Sequence, residues 1–491
     1  MVNIYPVQKS EISCSDYRIR VNGMEAAPDT ARVSAYPFNR RWPGHQRDKS
    51  QTELVNFLSL SFDEPVTFEI IPAQPFDSVA IRPQSLGITP EVKDGVIRFT
   101  LDKPEYLTVE PFGRQHALHI FADPVKTYRA DGDVIYFGAG VHEAGIIDIK
   151  SGQTLFLDEG ALVYGAVVAN HADNIRIIGH GILDNSHQKE KILWEANAVG
   201  NTSAVDNATR ENAIKFEYCH GIEIDGITIR DSLLYNIRPI CCNDISIRNV
   251  KIIGCWRYNS DGIDMHNCQN VEIADCFVRT YDDCICVKGF DCWQKTEEIL
   301  ANPRAIDTFR NVRVRGCTLW NDWGKCLEIG AETRAEEICD IVFEDCRVIH
   351  VTGSVLDCMN VDWADVHDVT WRNIDVEFDD EILTPLIQKS DDAVYANYNP
   401  DYAPVLILAE IVFHHEFSDG GQKRGRVRNL RFEEIRLTGR QKPRIWFVGY
   451  DETHKCENIA IAGLYHNGER LQSLPPEQFE MNGYCDNIRI E

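Results

Sequence analysis

From about residue 173 onward the chain repeats one short phrase, a polar residue or glycine followed by alternating apolar positions. It reads Asn174-Ile-Arg-Ile, Gly221-Ile-Glu-Ile, Asp244-Ile-Ser-Ile, Asn270-Val-Glu-Ile, Asn311-Val-Arg-Val, Asp340-Ile-Val-Phe, Asp368-Val-Thr-Trp, Asn429-Leu-Arg-Phe and Asn458-Ile-Ala-Ile. Where no insertion intervenes, successive phrases begin 23–29 residues apart, the range of a solenoid coil. The alternation has period two and is rich in β-branched residues, so each phrase predicts a strand with one buried face. A second short strand often follows, as in Ile245-Ser-Ile-Arg-Asn-Val-Lys-Ile-Ile and Val271-Glu-Ile-Ala-Asp-Cys-Phe-Val, and helical periodicity is nearly absent. Short strands and turns at this period predict an all-β, parallel β-helix with coils stacked about 4.8 Å apart.

The first 125 or so residues carry separate strand-like runs, among them Leu54-Val-Asn-Phe-Leu-Ser-Leu-Ser-Phe, Val66-Thr-Phe-Glu-Ile-Ile, Gly95-Val-Ile-Arg-Phe-Thr-Leu and Leu118-His-Ile-Phe. Turn signals at Asp63-Glu-Pro, Lys93-Asp-Gly and Asp102-Lys-Pro separate them at the spacing of an antiparallel β-sandwich. The predicted organisation is an N-terminal β-sandwich over residues 1–125 and a β-helix over 126–491, joined near Ala122-Asp-Pro. A sandwich in that position is expected to cap the exposed end of the coil stack. Two interruptions break the period: 290–310, with Asp291-Cys-Trp293, and 377–426, with Tyr395, Tyr398 and Tyr402. Solenoid insertions leave the coil as loops on one face, often the binding face.

Composition narrows the partners. Of 491 residues, 44% are hydrophobic and 26% charged, as in a folded globular chain. Fifty Lys and Arg against 76 Asp and Glu give a formal charge of −26, a surface that repels nucleic acid, anionic membranes and polyanionic glycans. The opening MVNIYPVQKS lacks the apolar core of a secretory signal, and no apolar run approaches the roughly 18 residues of a membrane span. A cytoplasmic protein is therefore expected. The 17 cysteines are an odd number without paired zinc-ribbon spacing, so they are read as reduced, packed thiols, with no metal or cofactor expected.

The densest chemistry lies in Trp256-Arg-Tyr-Asn259-Ser260-Asp261-Gly262-Ile263-Asp264-Met-His266, followed by Tyr281-Asp282-Asp283-Cys284-Ile285. Asp261 and Asp282 are 21 residues apart, close to one coil, which sets them on neighbouring rungs at nearly the same angular position. Three carboxylates then share one patch with Asp283. Adjacent acids raise the proton affinity of at least one of them, which keeps an acid protonated beside an ionised base. Glycoside hydrolysis needs that division of labour. Asp-Gly and Asp-Asp also serve as plain turn residues, and the spacing alone does not separate the two readings.

The order Asn259-Ser260-Asp261-Gly262-Ile263-Asp264, then Asp282-Asp283-Cys284-Ile285, resembles the NTDGxD and DDCI motifs of polygalacturonase-like glycoside hydrolases, family 28. The resemblance covers roughly residues 130–465 and is densest over 256–290. It implies a right-handed parallel β-helix that hydrolyses O-glycosyl bonds with inversion. Carried over residue by residue, it implies Asp282 as general acid, Asp261 and Asp283 as activators of water, and Asn259 as an orienting group. Asp264, Lys288, Lys325 and Glu328 are the further candidates for contacting a carbohydrate.

Two departures bear on the substrate. The family's Gly-His-Gly aligns with Gly324-Lys325-Cys326, and its Arg-Ile-Lys, which grips galacturonate, aligns near Val355-Leu-Asp357, where both cations are missing. Without that clamp a neutral glycan is a better candidate than polygalacturonate. The sandwich-plus-helix architecture is also similar to the dextranase-like family 49, so an α-glucan is the alternative substrate class. A non-catalytic glycan-binding β-helix is the competing function. A polysaccharide lyase is a weaker one, because no calcium-loop pattern is present. Trp256, Trp293, Trp323 and Trp363 are candidate sugar platforms, although buried Trp is the commoner case.

Overall fold

The structure is a computed structural model that describes the chain except residues 36–39, 42–51, 130, 189–211, 258, 293–294, 379–386, 389–402, 416 and 420–422. Trp293, Tyr395, Tyr398, Tyr402 and most of the 377–426 insertion therefore lie outside the described residues.

From Val134 to Ile490 the described strands form a parallel β-helix in which strands pair with their equivalents one coil away, apart from Ile387–Gln388, which pairs with Arg40–Arg41, and Glu469–Leu471, which folds back antiparallel on Cys456–His466. The register follows the repeated phrase: Ile175 pairs with Ile222, Ile222 with Ile245, Ile245 with Val271, Val271 with Val312, Val312 with Ile341, Ile341 with Val369 and Val369 with Leu430. The first residue of every phrase occupies the left-handed region, from Asn174 at φ 55° to Asn458 at φ 56°, with Gly221 at 69°. That conformation costs most L-residues about 1–2 kcal/mol and is tolerated best by Gly, Asn and Asp, which explains the residue types found there. The side chains add a ladder of amides: Asn311 donates to Asn270 Oδ1 at 2.6 Å and Asn270 to Asp244 Oδ1 at 3.0 Å. A tenth phrase, Asn487-Ile-Arg-Ile, continues the stack with Asn487 at φ 53° and a 2.7 Å bond to Asn458.

The apolar members of the phrases point inward and form one long core. Phe343, Trp371 and Phe432 stack in register within it, at centroid distances of 5.5 and 4.8 Å. Cys242, Cys255, Cys268, Cys276, Cys284, Cys317, Cys326, Cys346 and Cys358 belong to the same core, as expected of packed thiols.

The N-terminal residues form a six-stranded and a five-stranded sheet around a shared apolar core. The pairings are antiparallel except that Leu118–Pro124 runs parallel to Thr52–Phe62. This differs from the wholly antiparallel expectation because the two strands are not sequential neighbours, and Tyr106–Arg114 precedes Leu118–Pro124 as its hairpin partner.

The position of the sandwich also differs from expectation. It packs along the flank of the coils, not over their end. Phe57, Tyr106 and Phe121 meet Ile253, Phe277, Trp320 and Ile349, the outward residues of successive strands on one side of the helix. Buried polar contacts cross the same seam: the ion pairs Lys251 to Asp123 at 2.9 Å and Arg230 to Asp29 at 3.0 Å, and His350 Nε2 to Glu110 at 2.9 Å. An outward row of large apolar residues must be covered by something, and that requirement outweighs capping the first coil. At that end Tyr136, Val141 and Ile146 stay exposed. The flank seam grips Phe277–Thr280 and Thr318–Asn321, the strands that lead into the turns described next.

Candidate active site

Ile263–His266, Ile285–Lys288, Lys325–Ile329 and Ser354–Asn360 stack in register on one sheet of the helix. Ile263, Met265, Ile285, Val287, Leu327 and Ile329 face the core. The period of two turns the alternate residues to the other face. One ladder on that face reads Asp264, Cys286, Glu328, Asp357, and His266 stands beside Lys288.

The turns preceding these strands supply the remaining acids, and hydrogen bonds from neighbouring coils hold their backbones. The Asp261 carbonyl accepts Asn236 Nδ2 at 2.7 Å, and the Asp282 carbonyl accepts Asn321 Nδ2 at 2.6 Å and Thr280 Oγ1 at 2.5 Å. The N–H of Gly262 donates to the Asp283 carbonyl at 2.8 Å. A Cβ on Gly262 would lie 2.3 Å from the Cys284 carbonyl oxygen, so only glycine fits between the two rungs. The result brings one carboxylate oxygen each from Asp261, Asp282 and Asp283 within 4.8 Å of one another.

Two lysines are threaded through the acids. Lys288, 4% exposed, has its Nζ 2.8 Å from Asp264, 3.6 Å from Asp261, 3.6 Å from Glu332 and 3.8 Å from Asp283. Lys325 pairs with Glu328 and lies 3.3 Å from Asp357, with its side chain 22% exposed. Burial raises the proton affinity of Asp261 well above the carboxylate range, and repulsion from Asp264 and Asp282 adds to it while Lys288 opposes it. Burial likewise raises Glu328, with Asp283 adding and Lys325 opposing. Burial would discharge Lys288, but Asp264 and Glu332 more than offset it and push its proton affinity up. Within the patch the protonated form is therefore favoured at Asp261 and Glu328. That is a condition for acid and base catalysis from one set of groups.

Asp261, Asp264, Asp282, Asp283, Lys288, Lys325 and Glu328 fall on or beside this patch. Asn259 lies two residues before Asp261 at φ 56°, with its Oδ1 buried and without a hydrogen-bond partner among the described residues. The sequence reading missed Glu332, Glu410 and the part played by Asp357. Asp357 accepts from Ser354 Oγ at 2.5 Å as well as from Lys325. An acid paired with Lys325 thus stands where the family resemblance leads one to expect a cation. The signal for these residues was register, since Glu328 and Asp357 share a ladder that only strand pairing reveals. Trp256 is buried with its Nε1 bonded to Asp231 at 2.9 Å, a structural role, whereas Trp323 and Trp363 are part-exposed. Asp261, Asp282 and Asp283, and separately Asp283, Cys286 and Glu328, have the spacing of cation ligands, and Lys288 and Lys325 already bring positive charge to both groups.

Residues 147–390 match the model of Glycosyl hydrolases family 28, in agreement with the motifs around Asp261 and Asp282. A probable polygalacturonase of Arabidopsis thaliana is 32% identical over 108 residues, 20% of this chain and 24% of that protein. A polygalacturonase of Brassica napus is 26% identical over 326 residues, 66% of this chain and 69% of that protein. Several curated relatives are matched over less than half their length, 24%, 17% and 46% of three of them. The solved structure of Dex49A from Penicillium minioluteum aligns over 100% of this chain and 96% of that chain, with a TM-score of 0.60 at 15% identity, a likeness of fold.

Proposed function

We propose, on the premise that residues 147–390 belong to glycosyl hydrolases family 28, that the protein is an inverting glycoside hydrolase acting on a neutral oligo- or polysaccharide. The observation that carries this reading is the convergence of Asp261, Asp282 and Asp283 within 4.8 Å, where burial and repulsion raise the proton affinity of Asp261. Asp282 delivers a proton to the glycosidic oxygen as the bond to the anomeric carbon breaks. Asp283, with its side chain 15% exposed, takes a proton from the water that attacks the opposite face of the sugar, and Asp261, whose burial favours its protonated form, holds that water in place. The proton lost to the leaving group is thus regained from water, and the patch returns to its starting charge.

Neutral substrate is supported by Glu328 and Asp357, which flank Lys325 where a uronate carboxylate would have to bind. A substrate carboxylate there meets two acids and one cation already paired to them. The second reading is a dextranase-like α-glucan hydrolase, favoured by the sandwich-plus-helix architecture shared with Dex49A.

A panel of neutral and uronate oligosaccharides, assayed for new reducing ends and for the anomer first released, tests the proposal. Wild type is expected to cleave a neutral glycan with inversion, and Asp282→Asn to lose activity by about 10²-fold or more with little change in Tm. Saccharide binding without product would establish a lectin-like β-helix instead. Turnover undiminished in Asp282→Asn would remove the assigned acid.

We also propose action in a reducing compartment, the cytoplasm. All the cysteines are free thiols, and Cys276, Cys317 and Cys346 stand on adjacent coils as thiols and not disulfides. Thiol titration of unfolded protein from its native source should find 17 thiols, and fewer would overturn this.

A further inference from the structure

Lys288 looks at first like a donor to substrate, since it lies on the outer face of the catalytic sheet one coil after His266. Its surroundings argue otherwise. The ammonium is 4% exposed and has three N–H groups to give, yet four carboxylates, Asp261, Asp264, Asp283 and Glu332, lie between 2.8 and 3.8 Å of it. Tyr235 places its ring centroid 5.8 Å from Nζ and closes another side. Behind it His266 Nδ1 bonds the Gly289 carbonyl at 3.0 Å, and its Nε2 accepts from Arg238 at 3.3 Å, so that imidazole is a neutral ring. Arg238 in turn pairs with Asp291 at 2.9 Å. The remaining titratable neighbours are the Cys286 thiol on its own strand and Glu328 on the next. Asp264 alone is within hydrogen-bonding distance, and the other three carboxylates act on the ammonium through charge. A lysine 4% exposed presents almost no surface to a sugar hydroxyl.

We propose that Lys288 is a positioning residue, a buried counter-ion that orients Asp261 and Asp283 and limits how many protons the acid patch carries, and not a substrate ligand. The inference rests on the hydrolase reading above. Without the ammonium, Asp261, Asp264, Asp283 and Glu332 would face one another across a buried space, and the cheapest relief is to bind more protons. Extra protons would reach Asp283, the carboxylate that must accept one from water. Glu332 acts in the opposite sense, because it draws Lys288 away from Asp261 and Asp283 and adds its own negative charge.

The test is the pH profile of kcat/KM on whichever neutral glycan the wild type cleaves. Lys288→Met should move the acidic limb to higher pH by about one unit, the scale of losing an opposite charge at this distance. Glu332→Gln should move it lower, and Lys288→Arg should leave it near the wild-type position. KM should change little in Lys288→Met, because no sugar contact is removed. Should Lys288→Met fail to fold, Glu332→Gln and Lys288→Arg still decide the matter through the direction of their limbs. A uniform loss of kcat with unmoved limbs, or a large rise in KM with kcat intact, overturns the proposal. If the wild type cleaves nothing, the hydrolase reading falls and this inference falls with it, whereas turnover with unmoved limbs removes this inference alone.

Discussion

Asp283 Oδ1 accepts the backbone N–H of Lys325 at 2.9 Å, so the next coil fixes the orientation of a carboxylate proposed to activate water. Between them stands Gly324. A Cβ there would lie 2.5 Å from Asp283 Oδ1, 2.6 Å from the Asp282 carbonyl carbon and 2.7 Å from Asp283 N. Gly324→Ala must therefore displace both acids, and displacement of about 1 Å at reacting groups costs on the order of 100-fold in rate. The expected outcome is a kcat lowered by about that factor, with KM for a neutral glycan nearly unchanged. Steady-state kinetics measure both, and wild-type kcat in the variant would show that this contact does not set the geometry.

Asp357 should govern tolerance of substrate charge. It is fully buried and bonded to Ser354 and Lys325, on the ladder that also carries Glu328. Asp357→Asn keeps the shape and removes one negative charge, leaving more of the Lys325 field for a ligand. The ratio of kcat/KM for a uronate oligomer to that for its neutral analogue should rise by about tenfold, the scale of one charge at a protein-like dielectric. Competition assays with both oligomers measure the ratio directly, and an unchanged ratio would free Asp357 from any part in specificity.

The β-helix was legible because two physical demands coincide in each phrase, a left-handed residue at the turn and alternation behind it. The three catalytic candidates were legible because 21 residues is close to one coil. What escaped the sequence depends on partners far along the chain. Phe277 and Trp320 pattern like core residues, and only the structure shows that they face outward against Phe57 and Phe121. Lys288 reads from sequence as a donor to carbohydrate, yet Glu332 closes over it from beyond the 290–310 insertion. Glu434 holds φ 52° at a turn where an acid longer than Asp gives no sequence signal.

Glu410 supplies a pH test of the fold. Burial, with Asp357 adding and Lys325 opposing, raises its proton affinity from the carboxylate value of 4.5 to about 7. The folded state then binds a proton that the unfolded chain releases near 4.5, so the contribution of Glu410 is fully present below that pH and is lost as pH rises towards about 7. Glu410→Gln mimics the protonated form at every pH. Its Tm relative to wild type should climb between about pH 5 and pH 7 and level off above. Thermal unfolding across that range measures the difference, and a flat difference would mean that the carboxylate titrates alike in both states.

Asn311 tests the origin of the repeat itself. It opens its phrase at φ 57° and donates from Nδ2 to Asn270 Oδ1 at 2.6 Å, so it combines a backbone requirement with a side-chain bond. The two can be separated by substitution. Asn311→Gly removes the side-chain bond but meets the left-handed backbone without a Cβ penalty, whereas Asn311→Ala loses the bond and pays about 1–2 kcal/mol in strain. The amide ladder is solvent-exposed, where a neutral hydrogen bond contributes about 0.5–1.5 kcal/mol at most. If backbone conformation is what selects Asn, Asp and Gly at these turns, Asn311→Ala should unfold at a clearly lower denaturant concentration than Asn311→Gly. If the ladder dominates, the two variants should unfold together, both below wild type. Chemical denaturation of the three proteins at one pH decides between them.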